Sequence, residues 1–168
     1  MLRTEVFEHL GNDIKQWKSM AEALAYNARV LTMHRHQHSE DRNLYQQKLE
    51  ISSVNMDFAS LVLWGYALEC FLKCLRLKRG HSLVENGELI GWGKNHNLVQ
   101  MAQEVSFVLT ASHRRILESL SIIVTWSGRY PIATSSSGTF VGHYWEDLKD
   151  DNELKILVDS LRREIDSE

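Results

Sequence analysis

The chain has 168 residues, a formal net charge of -3, one proline and two cysteines. That length fits a single domain over 1–168 that buries a core of its own without staples. The slightly acidic balance excludes a global basic field of the kind behind strong nonspecific nucleic-acid binding, and leaves room only for a local basic patch. Scarce proline and few β-branched runs point to an all-α fold.

Near the N-terminus, MLRTEVFEHLGND carries acids and no long apolar core, so it reads as neither a signal peptide nor an anchor. Phe7, Leu10, Ile14, Trp17, Ala21, Leu24, Ala28 and Leu31 then recur in alternating steps of three and four, a heptad seam. One long first helix ending near His34 to His38 is expected, with Gly11 breaking its start and Asn12 or Asp13 as a cap. The connector that follows holds His34, His36 and His38. Imidazoles suit zinc or nickel, but no cysteine or carboxylate closes a diagnostic spacing, so a solvated helix end is the simpler reading.

Met56 to Gly80 is the stretch around which the rest must pack. Phe58, Leu61, Val62, Leu68, Leu72 and Leu75 mark one helical face, and Leu63, Tyr66, Cys70, Cys74 and Leu77 mark another. A helix that is apolar nearly all round is a buried one, and antiparallel packing against the first helix would cover both seams. Because it also carries Ser60, Glu69 and Lys73, it falls short of a membrane span. Glu69 and Lys73 stand four apart, in the order that favours an intrahelical pair with buried stems and heads at the rim. Alternatively, Lys73 and Arg76 face a phosphate. Gly65 in mid-helix implies close approach of another helix, and Gly80 ends the element. Cys70 and Cys74 are badly placed to bridge each other, and two core thiols suit a reducing, cytoplasmic setting.

His81 to Asn95, with three glycines, reads as a wide turn. A short helix over His96–Val105 turns Leu98, Val99 and Ala102 inward, and another over Ser112–Trp126 turns Ile116, Leu120, Ile123 and Val124 inward. Gly128-Arg129-Tyr130-Pro131 stops that helix. Thr134 to Thr139 is a polar loop able to offer amides and hydroxyls to an anion, though without the Gly-Lys-Ser/Thr signature of a phosphate loop. Asp150 and Glu153 suggest a capping box for a last helix whose apolar face is Leu154, Leu157, Val158, Leu161 and Ile165. An antiparallel up-and-down bundle of four to five helices is the expected architecture.

This layout resembles the HEPN superfamily of small helical-bundle proteins over residues 12 to 145. Ala67, Glu69, Lys73 and Gly80 match its second-helix pattern, and His96-Asn97-Leu98 is similar to its His-Asp-Leu with asparagine for aspartate. The resemblance implies an often dimeric bundle tied to RNA or nucleotides, and a toxin–antitoxin or phage-defence setting. Active members cut RNA without a metal, with an arginine and a nearby histidine late in the bundle, facing a cleft between two chains. Arg129 matches that arginine. Thr134, Ser135 and Ser136 stand where the histidine should follow, and His143 is the next imidazole. The implied catalytic pair is therefore Arg129 and His143: histidine for proton transfer, arginine for phosphate charge. The expected ligand-binding group is Glu69, Lys73, Arg76, His96 and Tyr130. Binding without strong cleavage, and with no metal or cofactor, is the expectation. A metal-independent RNA-cleaving toxin is one alternative. The other is a protein-interaction module, to which the apolar surplus of the heptad seam and five tryptophans also points.

Overall fold

A computed structural model describes residues 3–37, 53–90, 92, 96–127 and 151–167 of the chain. Over these it is all-α apart from one two-stranded hairpin. The first helical region is two helices, α1 (Arg3–Gly11) and α2 (Ile14–Gln37). The break falls at Asn12–Asp13 because both side chains bond backbone there. Asp13 Oδ1 accepts from Lys15 N at 2.9 Å, an N-cap for α2. Asn12 reaches across the chain instead: Oδ1 accepts from Leu83 N (2.8 Å) and Val84 N (3.1 Å), and Nδ2 donates to Val84 O (2.8 Å). Gly11 makes room for this, since a Cβ there would lie 2.2 Å from Val84 Cγ2.

The central helix is α3 (Ser53–Lys78). It runs antiparallel to α2, as the ends show. Cys74 Sγ donates to Ile14 O at 3.7 Å near one end, and Trp64 lies beside Ala25 and Thr32 near the other. The stripe that α2 buries is Ala21, Ala25, Ala28 and Thr32: Ala21 and Ala28 lie on the expected heptad seam, Ala25 and Thr32 beside it. Phe7, Leu10 and Leu31 are 45%, 47% and 44% exposed, while Trp17 and Leu24 are half-buried. Small side chains let two backbones approach closely, so alanines rather than leucines line the contact with a helix already rich in bulk. On α3, Leu61, Trp64, Leu68, Phe71, Leu72, Cys74 and Leu75 are buried, as its apolar pattern predicts. Gly80 closes it in the left-handed region (φ 80°), with Gly80 N donating to Leu77 O and His81 N to Arg76 O.

The expected wide turn contains a hairpin, β1 (Val84–Glu85) and β2 (Glu88–Leu89), with Val84 opposite Leu89. Asn86 and Gly87 both take positive φ, the geometry that an Asn-Gly hairpin turn requires. Next come α4 (Leu98–Glu104) and α5 (Ala111–Ile122), the latter running into a π-helical turn over Ile123–Ser127. Ile116, Leu120, Ile123 and Val124 are all inward, as expected. Last is α6 (Asp151–Asp166), with Leu154, Leu157, Val158, Leu161 and Ile165 buried. Asp150 lies outside the described residues, and Glu153 accepts from Ser112 Oγ at 2.7 Å. Cations of α2 and α3 hold the C-terminal end of α6. Lys78 Nζ donates to Glu164 O (2.7 Å) and to Ser167, Arg79 pairs with Glu164, and Lys18 pairs with Asp166. Positive charge there complements the helix dipole. Among the described residues there are six α-helices, one more than the sequence pattern suggests because of the Asn12–Asp13 break. No described helix is long and apolar enough to cross a membrane.

Burial pushes the Cys70 thiol up to about 11, with Lys73 pulling it down and Glu69 adding a further upward push. Cys74 rises to about 12, through burial first and then its neighbour Cys70. A folded-state pKa above the ordinary value of 9.0 contributes stability that is full below pH 9 and lost as pH rises through 11 to 12, because the unfolded chain sheds these protons first. We expect unfolding free energies from urea titrations to fall from pH 9 upward by at most about 1.4 kcal/mol per pH unit for each thiol. A Cys70→Ala/Cys74→Ala variant should show a shallower slope, and native protein at pH 8 should resist iodoacetamide until unfolded.

Candidate functional site

Glu69 and Lys73 project from one side of α3 where the N-terminal end of α2 meets the segment before α4. Lys73 Nζ donates to Glu69 Oε1 at 2.8 Å and sits 4.5 Å from the centroid of the Trp17 ring. The Trp17 indole is fixed in turn, its Nε1 donating to Gly11 O at 2.7 Å. Both charged heads are enclosed rather than at the rim, with Glu69 5% and Lys73 9% exposed. A buried charge must be paired and hydrogen-bonded, and a lysine over an indole face gains a cation–π contribution as well.

The other oxygen of Glu69 meets His96, with Nδ1 and Oε2 2.8 Å apart. An ionised carboxylate only accepts, so it holds the ring with the proton on Nδ1. Tyr66 stands edge-on to the same ring at 6.5 Å between centroids. Nε2 is then the outward nitrogen, with no partner among the described residues, and the His96 side chain is 27% exposed. A carboxylate-oriented imidazole can accept a proton at Nε2 or, once protonated, donate to a phosphate oxygen.

Asn97 explains the segment's sequence pattern. Its Oδ1 accepts from Gln100 N at 3.0 Å, so it is the N-cap of α4. Aspartate and asparagine serve equally in that position. Leu98 N donates to Ser121 Oγ (2.9 Å), tying His96 and Asn97 to α5. The sequence reading missed Ser121, Trp17 and Trp92, since nothing local in the chain marks them.

Arg76, read alternatively as a cation facing a phosphate with Lys73, is engaged within the fold. Its guanidinium lies 5.0 Å over the Trp92 ring, Nε donates to Ser82 O at 3.4 Å, and Glu104 Oε2 is 3.6 Å from one terminal nitrogen. Trp92 Nε1 also donates to Glu104. Of the expected ligand group, Glu69, Lys73 and His96 come together, with Arg76 one turn further along α3. Tyr130 lies outside the described residues, as do Arg129 and His143. The side chains of His34, His36 and His38 also lie outside them. Among the described residues no cluster of histidine, cysteine or carboxylate is fit to hold a metal.

Three buried polar atoms find no partner among the described residues: Trp64 Nε1, His113 Nδ1 and Ser119 Oγ. Each such group costs about 1–3 kcal/mol. No family model, curated protein or solved structure matches this chain.

Proposed function

We propose that the chain is a HEPN-like domain, an antiparallel up-and-down helical bundle that binds RNA or a nucleotide in the cytoplasm rather than cutting RNA strongly. The observation that carries the reading is the meeting of Glu69, Lys73 and His96, residues 23 to 27 apart in sequence for the histidine, on one side of α3. These are the residues on which the resemblance rests, and their junction leaves His96 Nε2 directed to a ligand. The inverted ends of α2 and α3 and the packing of α6 on α3 support the bundle. A toxin–antitoxin or phage-defence setting rests on the resemblance alone.

Fluorescence anisotropy with a labelled single-stranded RNA tests the reading. Binding should weaken as salt rises, and His96→Ala should weaken it about tenfold, the loss of one charge-assisted hydrogen bond. No salt-dependent binding to RNA or to a nucleotide rejects the proposal. Cleavage that His143→Ala abolishes would replace it with the metal-independent nuclease.

A homodimer is the accompanying reading, and the outer side of α2 favours it. Exposed Ser19, Met20, Ala23, Tyr26, Asn27, Val30 and Leu31 run along that side without a charge. Such an uncharged apolar face suits a second copy, or another protein in the interaction-module alternative. Light scattering should report the mass of two chains, with Val30→Glu returning one. A strict monomer for the parent protein sinks the dimer.

A further inference from the structure

A groove of about 510 Å3 opens between α2, α3 and α6. It lies on the far side of α3 from the site above. Trp64 and Phe71 are seven apart and share a face, whereas Glu69, Lys73 and Arg76 occupy the opposite one. The volume is that of a small-molecule site. Its lining is mostly apolar, with Ala25, Met33 and Val158 beside the rings of Tyr26 and Trp64.

Its charge runs against that of the chain. Arg29, Lys155 and Arg162 face one carboxylate, Glu22, in a protein of net charge -3. Arg162 is committed, with Nε donating to Glu22 Oε1 at 2.8 Å and one terminal nitrogen to Asp159 at 2.9 Å. These bonds hold its guanidinium charged and raise its pKa. Glu22 is thereby used up. Arg29 and Lys155 are exposed and have no partner among the described residues. The second observation is independent of charge. Trp64 is 8% exposed, and its Nε1–H is the orphaned donor among the groove's residues.

An apolar slot with aromatic walls, two unspent cations and an unspent donor has the complementary chemistry of an aromatic anion. We propose that this groove binds a small planar aromatic compound carrying a phosphate. The ring system lies against Tyr26 and Trp64, the phosphate is held by Arg29 and Lys155, and a ring or ester acceptor takes the Trp64 N–H. A nucleoside monophosphate and a non-nucleotide aryl phosphate both have this chemistry. The site is separate from His96 and does not depend on the RNA-binding reading.

Isothermal titration calorimetry on the full chain tests it with four probes: 1-naphthyl phosphate, adenosine monophosphate, inorganic phosphate and neutral 1-naphthol. We expect one or both aryl phosphates to bind, and phosphate alone and 1-naphthol to bind at least about tenfold more weakly. Arg29→Ala and Lys155→Ala, both exposed and without a partner among the described residues, should each weaken binding about tenfold, and Trp64→Phe should weaken it while keeping the ring. A preference for adenosine monophosphate assigns the nucleotide source, and a preference for the naphthyl ester assigns the other. Binding unchanged in Arg29→Glu/Lys155→Glu overturns the proposal. So does the absence of binding by both aryl phosphates, or binding that His96→Ala abolishes and the Arg29 and Lys155 variants leave intact.

Discussion

Glu69→Ala is expected to lower the unfolding free energy by about 3–5 kcal/mol, the largest loss expected of a single polar substitution among the described residues. The carboxylate is the shared acceptor of two donors, Lys73 Nζ on one oxygen and His96 Nδ1 on the other. Truncation leaves the Lys73 ammonium buried with the Trp17 face as its only described neighbour of opposite polarity. It also frees His96 to rotate. Removing one partner of a buried pair is costly because the other remains desolvated, whereas the intact pair contributes little net stability. Glu69→Leu/Lys73→Met should therefore lie much closer to the parent protein than Glu69→Ala does. Urea titrations at constant m value measure all three. A Glu69→Ala loss under about 1 kcal/mol would mean that water reaches the pair, contrary to its burial. The same set bears on function. Glu69→Gln keeps shape and one acceptor oxygen but abolishes the charge that orients His96, so it should weaken RNA binding more than it weakens the fold.

The difference between what the sequence discloses and what it hides follows from where the determining contact lies. α3 was legible because its signals are local: an all-round apolar run, a terminating Gly80 and the Glu69–Lys73 step. The inward faces of α5 and α6 were legible for the same reason, each being a periodicity within one helix. The hairpin was also written in the chain as Val-Glu-Asn-Gly-Glu-Leu, and reading only its glycines hid the paired positive-φ signal of Asn86-Gly87. The face of α2 was legible only in part. Heptad spacing marked Ala21 and Ala28, which are buried, and Ile14, Trp17 and Leu24, which pack half-buried on the core, but also Phe7, Leu10 and Leu31, which are exposed, while Ala25 and Thr32 complete the buried stripe against the bulk of the partner helix. Periodicity shows that a face exists, but partner volume decides which face is inside. The site divides the same way. The Glu69–Lys73 pair follows from spacing, while its junction with His96 needs α4 folded back, anchored by Asn97 and Ser121. The enclosure of Arg76 by Trp92 and Glu104 likewise joins residues far apart in the chain.

Gly65→Val should cost about 3 kcal/mol, at the upper end of what overpacking a well-filled core usually does. By helix propensity alone, replacing a mid-helix glycine stabilises, by up to about 1 kcal/mol for alanine. Space decides otherwise. A Cβ at residue 65 would lie 2.3 Å from Val124 Cγ1 and 3.6 Å from Leu120 O. Val124 is buried within the π-helical turn that follows α5, so it has little room to retreat. Gly65 is thus a point of close contact between the two segments, and valine's two further methyl groups deepen the clash. Gly65→Ala tests the balance more finely, since the propensity gain opposes a single Cβ collision. It should fall between the parent and Gly65→Val. The decisive variant is Gly65→Ala/Val124→Ala. Removing both Val124 Cγ methyls opens the space that the new Cβ needs, so the double variant should be more stable than the sum of the separate losses predicts. Contacting residues in one packed site couple in this way. Additive losses, read from thermal or urea midpoints, would show that the close approach at Gly65 does not govern how α3 and α5 pack.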